Sequence, residues 1–283
     1  MSFLKRIEQC NRWAPGSFVA FVVSGERLGM ARRDFAEDLC KAKSGFSLDA
    51  DGLHWRDAPN GFDERTAAMQ NICADLVTRG LIDHQHGEQY PVTPGRREDA
   101  RFLIDRACAP YFGVRAFGQH INGFVRRPDG LQMWIARRSP DRRVYPNRLD
   151  NVVAGGLPWG LTLSENVAKE CAEEAGMPAA LAERAVPVGA ITYCRASKRG
   201  LKPDVMYCYD LELPPDFVPR CHDGEVAAFH LWPIDHVAEI VRDTDEFKLN
   251  CNLVIIDFLV RHGRLTPEQP DYLEIVQRLR SLA

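Results

Sequence analysis

Residues 155–177 read GGLPWGLTLSENVAKECAEEAGM, a glycine-rich turn followed by a short helical segment that ends at a glycine. Its glutamates Glu170, Glu173 and Glu174 are spaced i, i+3 and i+4, so they share one face of an α-helix. Neighbouring carboxylates repel one another and would destabilise a bare helix. Mg²⁺ or Mn²⁺ prefers oxygen ligands and would remove that repulsion, so the spacing predicts a divalent-cation site.

This stretch resembles the Nudix hydrolase signature, a loop and helix of 23 residues with the core Arg-Glu-apolar-x-Glu-Glu-x-Gly. In this chain residues 169–176 read KECAEEAG, and counting back from them places the opening glycine of the signature at Gly155. Two positions depart from the pattern. Lys169 replaces the usual arginine, and Leu161 replaces the usual glutamate after the glycine loop. Lysine keeps the positive charge but loses the bidentate fork of arginine.

The resemblance implies a hydrolase that cleaves a diphosphate linkage with bound Mg²⁺ or Mn²⁺. Such a linkage is inert because its negative charges repel nucleophiles, so catalysis needs charge neutralisation and an activated water. The implied metal ligands are Glu170, Glu173, Glu174 and a backbone carbonyl at Ala154 or Gly155. Lys169 would orient a catalytic carboxylate. Glu225, in the segment Asp223-Gly224-Glu225, resembles the family's extra carboxylate, a metal ligand or general base; the alternative is an exposed turn residue.

A narrower resemblance is to the Nudix subfamily that carries an extra N-terminal domain and is sometimes fused to thiamine pyrophosphokinase. The segments that carry it are residues 134–139, 149–160, 223–226, 250–251 and 257–263. It implies activity on thiamine diphosphate or its oxidised or damaged analogues. Two alternatives stay open: hydrolysis of another nucleoside diphosphate derivative, such as ADP-ribose or a dinucleotide, and a non-catalytic sensor of a metabolite diphosphate.

The substrate contacts are predicted from residue type alone. Arg137, Arg138 and Arg195 are candidates for binding phosphate, since a guanidinium forms paired hydrogen bonds to phosphate oxygens. Trp159 is a candidate for stacking on a substrate ring. The alternative for each arginine is a solvated surface position, and for Trp159 a core position.

Composition bounds the partners and the compartment. The net charge of −3 gives no reason to expect nucleic acid or an anionic membrane as a partner. The N-terminal residues lack the apolar core of a signal peptide. Nine scattered cysteines without C-x-x-C spacing indicate reduced thiols in a cytoplasmic protein. The expected partner is therefore a small-molecule diphosphate, and the oligomeric state is left open, with a homodimer among the options.

Apolar patterning divides the 283 residues into two parts. Residues 1–112 are predicted to form a small α/β domain, with a strand at 18–23 and helices at 33–43 and 62–79. Residues 113–283 are predicted to form the Nudix hydrolase domain with C-terminal helices. Its fold class is α/β, an α/β/α sandwich with a mixed sheet, and Ser164 is predicted to cap the signature helix.

Overall fold

The fold was analysed in a computed structural model that describes residues 2–42 and 45–281. The first part of the chain alternates short helices and strands. Its elements are α1 (Phe3–Cys10), β1 (Phe18–Val23), β2 (Glu26–Arg32), α2 (Arg33–Lys41), β3 (Phe46–Leu48), β4 (Leu53–Trp55), α3 (Phe62–Thr78), β5 (Gln89–Val92), β6 (Phe102–Asp105) and α4 (Ala109–Phe112). The order β2-β1-β4-β3 forms a four-stranded sheet in which β1 and β4 are parallel, and β5 pairs with β6 in a separate hairpin.

The second part of the chain contains longer strands and the signature helix. Its elements are β7 (Phe117–Arg127), β8 (Gly130–Arg138), β9 (Leu149–Asn151), β10 (Val153–Gly156), α5 (Leu163–Ala175), α6 (Ala179–Ala182), β11 (Val186–Ser197), β12 (Gly200–Glu212), β13 (Val226–Pro233), α7 (Ile234–Asp243), α8 (Leu249–Arg261) and α9 (Tyr272–Arg278). Among the described residues, none of these helices is long and apolar enough to cross a membrane.

The large sheet is mixed and is covered by helices on both faces. Its order is β11-β12-β7-β8-β13, with β12 parallel to β7, while β10 pairs with β7 and β9 with β8. One apolar cluster joins the sheet to α5 and α6, and a second joins it to α7, α8 and α9. The predicted α/β/α sandwich with a mixed sheet is thus confirmed, as is the small α/β unit that precedes it.

Helix α1 belongs to the first part of the chain but packs in the core of the second. Phe3, Ile7 and Cys10 lie in the same apolar cluster as α8. Arg6 is fully buried, and its Nε donates to the carbonyl of Val241 at 2.7 Å. The division of the chain at residues 112 and 113 stays a prediction, since α1 links the two parts.

The turn at Ser24-Gly25 shows why β2 was not predicted. Both residues have positive φ, 50° and 81°, and they form the two-residue turn of a hairpin. Sequence patterning predicts the strand at 18–23 but no strand at 26–32. Residues 26–32 alternate weakly because Gly29 interrupts them, and an added Cβ there would overlap the carbonyl of Phe112. Residue 29 is therefore a glycine because α4 packs directly on the backbone of β2 at this position.

Candidate active site

The signature helix α5 is closed at both ends by local sequence. The Thr162 hydroxyl accepts from the backbone N–H of Glu165 at 3.2 Å, and the Glu165 carboxylate accepts from the Thr162 N–H at 2.8 Å. This is a capping box. Ser164 lies inside the first turn, so its prediction as the cap is wrong, because the hydroxyl two residues earlier is the one that reaches the third N–H of the helix. The helix ends at Gly176, whose φ of 61° suits glycine.

Glu174 is the most buried carboxylate of the signature. Only 6% of its surface is exposed, and its Oε2 accepts from the backbone N–H of Ala154 at 2.8 Å. Burial, together with the negative charges of Glu170, Asp150 and Glu225, raises the pKa of Glu174 to about 8, although the hydrogen bond from Ala154 acts to lower it. A carboxylate in this position is costly to ionise unless a cation joins it.

Glu170 lies directly on the glycine loop. An added Cβ at Gly155 would overlap the carboxyl carbon of Glu170 and would lie 2.6 Å from its Cγ. Only glycine leaves room for this side chain, which explains the first residue of the signature. Burial raises the pKa of Glu170, while Lys169 opposes that shift. The contact brings one predicted carboxylate ligand next to the predicted backbone ligand at Gly155.

Lys169 neutralises part of the glutamate cluster. Its Nζ lies 3.2 Å from Oε1 of Glu170 and 2.9 Å from Oε2 of Glu173. Burial acts to lower the pKa of Lys169, but its bonds to Glu173 and Glu170 raise it overall. The Glu173 side chain is 47% exposed, so it is the most accessible of the three carboxylates. One lysine faces three glutamates, and the cluster keeps a net negative charge.

Glu225 lies in the turn that directly precedes β13. Its backbone N–H donates to Asp223 Oδ1 at 2.8 Å, and its carbonyl accepts from the N–H of Ser139. The carboxylate forms an ion pair with Arg142. Glu225 is close enough to Glu174 for its charge to raise the pKa of Glu174. The role of Glu225 as base or ligand stays a prediction.

The predicted phosphate-binding arginines are engaged in the protein itself. Arg137 donates to a backbone carbonyl in the loop before β9 at 2.8 Å. Arg138 is buried and donates to Asp150 at 3.0 Å. Arg195 donates to the hydroxyl of Tyr145 at 3.0 Å. Their recorded partners do not include the signature glutamates, so their roles as substrate ligands stay predictions.

Trp159 joins the signature loop to the first part of the chain. Its ring lies 5.9 Å from the ring of Phe62 in α3 and 5.4 Å from the guanidinium of Arg97. Its backbone N–H donates to the carbonyl of Gln89 at 2.7 Å. These contacts place it at an internal interface, and its predicted stacking on a substrate is left untested.

Tyr90 and Arg106 are two residues near the loop that sequence reasoning missed. An added Cβ at Gly156 would overlap the Tyr90 hydroxyl and would lie 3.1 Å from the guanidinium carbon of Arg106. Tyr90 lies in β5 and Arg106 directly follows β6, a hairpin in which no motif was found. Only the fold brings them to Gly156, which lies 66 residues after Tyr90 and 50 after Arg106.

A second polar cluster, His120, Asp150 and Cys251, lies buried between the sheet and α8. Their potential metal-binding atoms lie within 4.8 Å of one another. However, Asp150 Oδ2 already accepts from Arg138 and from Lys248, each at 3.0 Å. A divalent cation here would face two positive charges and a thiol whose pKa burial raises well above normal. The donor set fits a structural network better than a metal centre.

Comparisons with known proteins agree with this geometry. The NUDIX domain family matches residues 117–251, and a domain of unknown function, DUF4743, matches residues 2–116. Nudix hydrolase 24, chloroplastic, from Arabidopsis thaliana is 42% identical over 286 residues, covering 99% of this chain and 78% of the relative. Nudix hydrolase 20, chloroplastic, from the same plant is 41% identical over 291 residues, with the same coverage of 99% and 78%.

A solved structure is similar at lower identity. The crystal structure of DR0079 from Deinococcus radiodurans is 22% identical and covers 69% of this chain and 100% of its own, with a TM-score of 0.40. The two Arabidopsis relatives cover both parts of the chain, and in the structure Glu170 packs on Gly155 while Glu174 accepts from the N–H of Ala154. The chain therefore belongs to the Nudix hydrolase family and is a hydrolase of diphosphate bonds.

Proposed function

We propose that this hydrolase uses Mg²⁺, or Mn²⁺ in its place, to cleave the diphosphate of thiamine diphosphate or of an oxidised or damaged analogue. The products would be the corresponding monophosphate and inorganic phosphate. The observation that carries the proposal is the under-neutralised carboxylate cluster of α5 on the glycine loop. Glu170, Glu173 and Glu174 face one another with Lys169 as the cation that bonds to two of them.

The residues of the cluster fit a hard divalent cation. All three are carboxylates, and burial and neighbouring negative charges raise the pKa of Glu174 to about 8, so a bound cation would favour its charged form. Glu170 and Glu173 would supply accessible oxygens, with the carbonyl of Gly155 beside them. A bound cation would neutralise phosphate charge and lower the pKa of a water molecule.

The chain's own residues would then position the reacting water. Glu225 would accept its proton, because it lies near Glu174 and is held in place by Arg142. Lys169 would keep Glu170 and Glu173 in a fixed arrangement through its two bonds. Glu174 would be fixed through the N–H of Ala154. These roles follow the order of catalytic needs for an inert linkage: charge neutralisation, then proton acceptance.

The thiamine assignment rests on the subfamily resemblance of five segments outside the signature glutamates. The two Arabidopsis relatives align with 99% of the chain, including the N-terminal part that general Nudix proteins lack. An analogue with a neutral ring should be the better substrate, because burying the thiazolium cation without a partner is costly. We therefore propose oxidised analogues ahead of the intact cofactor.

We further propose a small molecule as the only class of partner needed for turnover, and a reducing compartment, the cytoplasm, as the site of action. All nine cysteines lie in described residues, and all are free. Seven of them are buried. Free thiols are the common state in reducing compartments. The Arabidopsis relatives carry the word chloroplastic in their names, so the compartment needs its own measurement, for example by imaging a tagged chain.

A substrate panel tests the proposal. Thiamine diphosphate, oxythiamine diphosphate, ADP-ribose and a dinucleoside polyphosphate would be compared at matched concentrations with Mg²⁺, with Mn²⁺ and with EDTA. We expect turnover of the thiamine analogues with the metals and none with EDTA. The control is Glu173→Gln, which removes a predicted ligand while keeping the shape of the side chain.

Three outcomes would redirect the proposal. Faster hydrolysis of ADP-ribose or of the dinucleotide would replace the thiamine substrate and keep the Nudix chemistry. Binding of a diphosphate without turnover would support a sensor. Full activity in EDTA, or in Glu173→Gln, would overturn the metal site.

A further inference from the structure

We propose that Arg106, with the hydroxyl of Tyr90 beside it, binds the diphosphate of the substrate, so that the N-terminal part of the chain completes the active site of the hydrolase. The inference rests on diphosphate hydrolysis as the reaction and holds for any substrate base. It assigns a specific role to a hairpin that contains none of the signature residues.

The hairpin of β5 and β6 is fixed onto the signature loop by several bonds. The carbonyl of Gln89 accepts from the N–H of Trp159 at 2.7 Å. Nη2 of Arg97 donates to the carbonyls of Pro158 at 2.6 Å and Leu161 at 2.9 Å. These contacts hold the hairpin at the turn that connects β10 to α5. These contacts to the backbone of the signature loop fix the position of the hairpin and with it the position of Arg106.

Arg106 and Glu170 lie on consecutive glycines of the loop. Glu170 packs on Gly155, as described above, and the guanidinium carbon of Arg106 lies 3.1 Å from the position of an added Cβ at Gly156. A phosphate bound by the glutamate cluster through a cation would thus lie within reach of this guanidinium.

The hydrogen-bonding state of Arg106 leaves room for an anion. Its Nη1 donates to Glu88 at 2.7 Å, and its guanidinium lies 5.7 Å from the centre of the Tyr90 ring. For Nε and Nη2, the structure as described over residues 2–42 and 45–281 records no acceptor. These two groups form the edge that pairs with two phosphate oxygens. The side chain is 35% exposed, so that edge is open to a ligand.

Arg261, at the end of α8, differs from Arg106 in this respect. Arg261 donates to Asp257 through Nε at 2.7 Å and to Asp210 through Nη2 at 2.9 Å. Its outer edge is therefore filled by carboxylates of the protein. Arg106 has a single carboxylate partner, Glu88, which orients the guanidinium and leaves its other edge unfilled. This arrangement is expected of an arginine whose unfilled edge binds a substrate anion.

The need for such a cation follows from the charge of the site. The signature cluster and Glu225 together present four carboxylates, of which two bond to Lys169 and Glu225 pairs with Arg142. These carboxylates would repel a diphosphate, and a bound metal would reduce that repulsion only on its own side of the site. Arg106 would supply a second positive charge from the opposite side of the glycine loop, and Tyr90 a neutral donor.

The test compares Arg106→Met and Arg106→Lys with the matched control Arg101→Met. Arg101 lies in the same hairpin region and pairs with Glu26 at 2.6 Å, with a similar exposure of 39%. Calorimetry would measure the Kd of imidodiphosphate, a non-hydrolysable probe, in the presence of Mg²⁺. Steady-state kinetics would measure KM and kcat for the substrate that the panel identifies.

We expect Arg106→Met to raise the Kd of imidodiphosphate and the KM by about 10- to 100-fold, because a charge-assisted paired hydrogen bond is lost. Arg106→Lys should recover part of this loss, since it keeps charge but not the fork. Arg101→Met should stay within about twofold of the wild type for both quantities. The melting temperatures of the three variants would be compared to exclude unfolding.

The outcomes separate this inference from the reaction itself. If the wild type hydrolyses a diphosphate and Arg106→Met matches it in KM and Kd, the inference alone is wrong. If the wild type hydrolyses none, the reaction is wrong, and the imidodiphosphate Kd still decides whether Arg106 binds a diphosphate. Should Arg106→Met fail to fold, Arg106→Lys and Glu88→Gln give the answer, and wild-type affinity in both overturns the inference.

Discussion

Asp150 and Glu174 are both almost fully buried carboxylates in the same domain, yet their neighbours treat their charges in opposite ways. Asp150 is 3% exposed and bonds to Arg138 and Lys248, whose charges, with that of His120, lower its pKa to about 2 although burial acts to raise it. Glu174 is 6% exposed and bonds to one backbone N–H, and burial raises its pKa to about 8.

This difference in neighbouring charges distinguishes a structural carboxylate from a functional one. Burial acts against ionisation in both cases, and the charges around the carboxylate decide the result. The Asp150 cluster is neutralised from within and has no need of an external ion. The charges that act on Glu174 are the negative ones of Glu170, Asp150 and Glu225, which add to burial in raising its pKa. A buried carboxyl group with a raised pKa of this kind is typical of functional sites.

The largest effect is expected for Asp150→Asn. It would leave Arg138 and Lys248 buried without their carboxylate, and breaking such a pair costs about 3–5 kcal/mol of the free energy of unfolding. Urea denaturation would measure it. The control is Asp49→Asn, an exposed carboxylate paired with Arg56, for which we expect a much smaller loss. Equal losses in both variants would show that the Asp150 network is no more than a surface ion pair.

Glu174→Gln should have the opposite signature. We expect kcat to fall by about 10²-fold or more, because a charge at the metal site is lost. Stability in EDTA should stay the same or rise, since a buried carboxyl group that is costly to ionise is replaced by a neutral amide. Turnover with Mg²⁺ and urea denaturation with EDTA would be measured side by side, with the exposed Glu183→Gln as control. A stable variant with normal turnover would remove Glu174 from the site.

The pH dependence of the free energy of unfolding provides a further test of the network around Asp150. Burial, aided by Lys248, lowers the pKa of His120 to about 4. The folded state then binds fewer protons than the unfolded state between about pH 6.5 and 4, so stability is full above pH 6.5 and falls as the pH drops through this window. The loss should reach up to about 3 kcal/mol.

His120→Gln removes the titrating group and should flatten this part of the curve. Urea midpoints at several pH values between 7 and 4 would measure the slope. His236→Gln, at an exposed position on α7, is the control and should keep the wild-type slope. An unchanged slope in His120→Gln would mean that other groups carry the acid sensitivity. Below about pH 4, Asp150 adds a further loss, because its folded pKa lies below its unfolded one.

Sequence patterning could predict the local parts of this molecule and not the contacts between distant segments. The helix at 163–175 and its three glutamates follow from spacing within one element, and the structure confirms that helix. The cap was misplaced by two residues because Thr162 and Ser164 both carry a hydroxyl, and only the backbone geometry selects Thr162. Tyr90 and the His120 network required knowledge of which elements meet, which no periodicity contains.

Lys169 provides the smallest and most specific test, because it is the cation that partly neutralises the functional cluster. Lys169→Arg should keep turnover within about threefold or improve it, since arginine restores the fork of the family signature. Lys169→Met should reduce turnover more, because the bonds of 3.2 Å to Glu170 and 2.9 Å to Glu173 disappear together. Initial rates across a range of Mg²⁺ concentrations would measure both variants. If Lys169 only orients the carboxylates, Met should lower kcat while Mg²⁺ affinity rises, because a competing positive charge is gone. If Lys169→Met keeps the wild-type kcat and Mg²⁺ affinity, Lys169 has no part in holding the glutamate cluster. The cluster would then be neutralised entirely by a cation from solution.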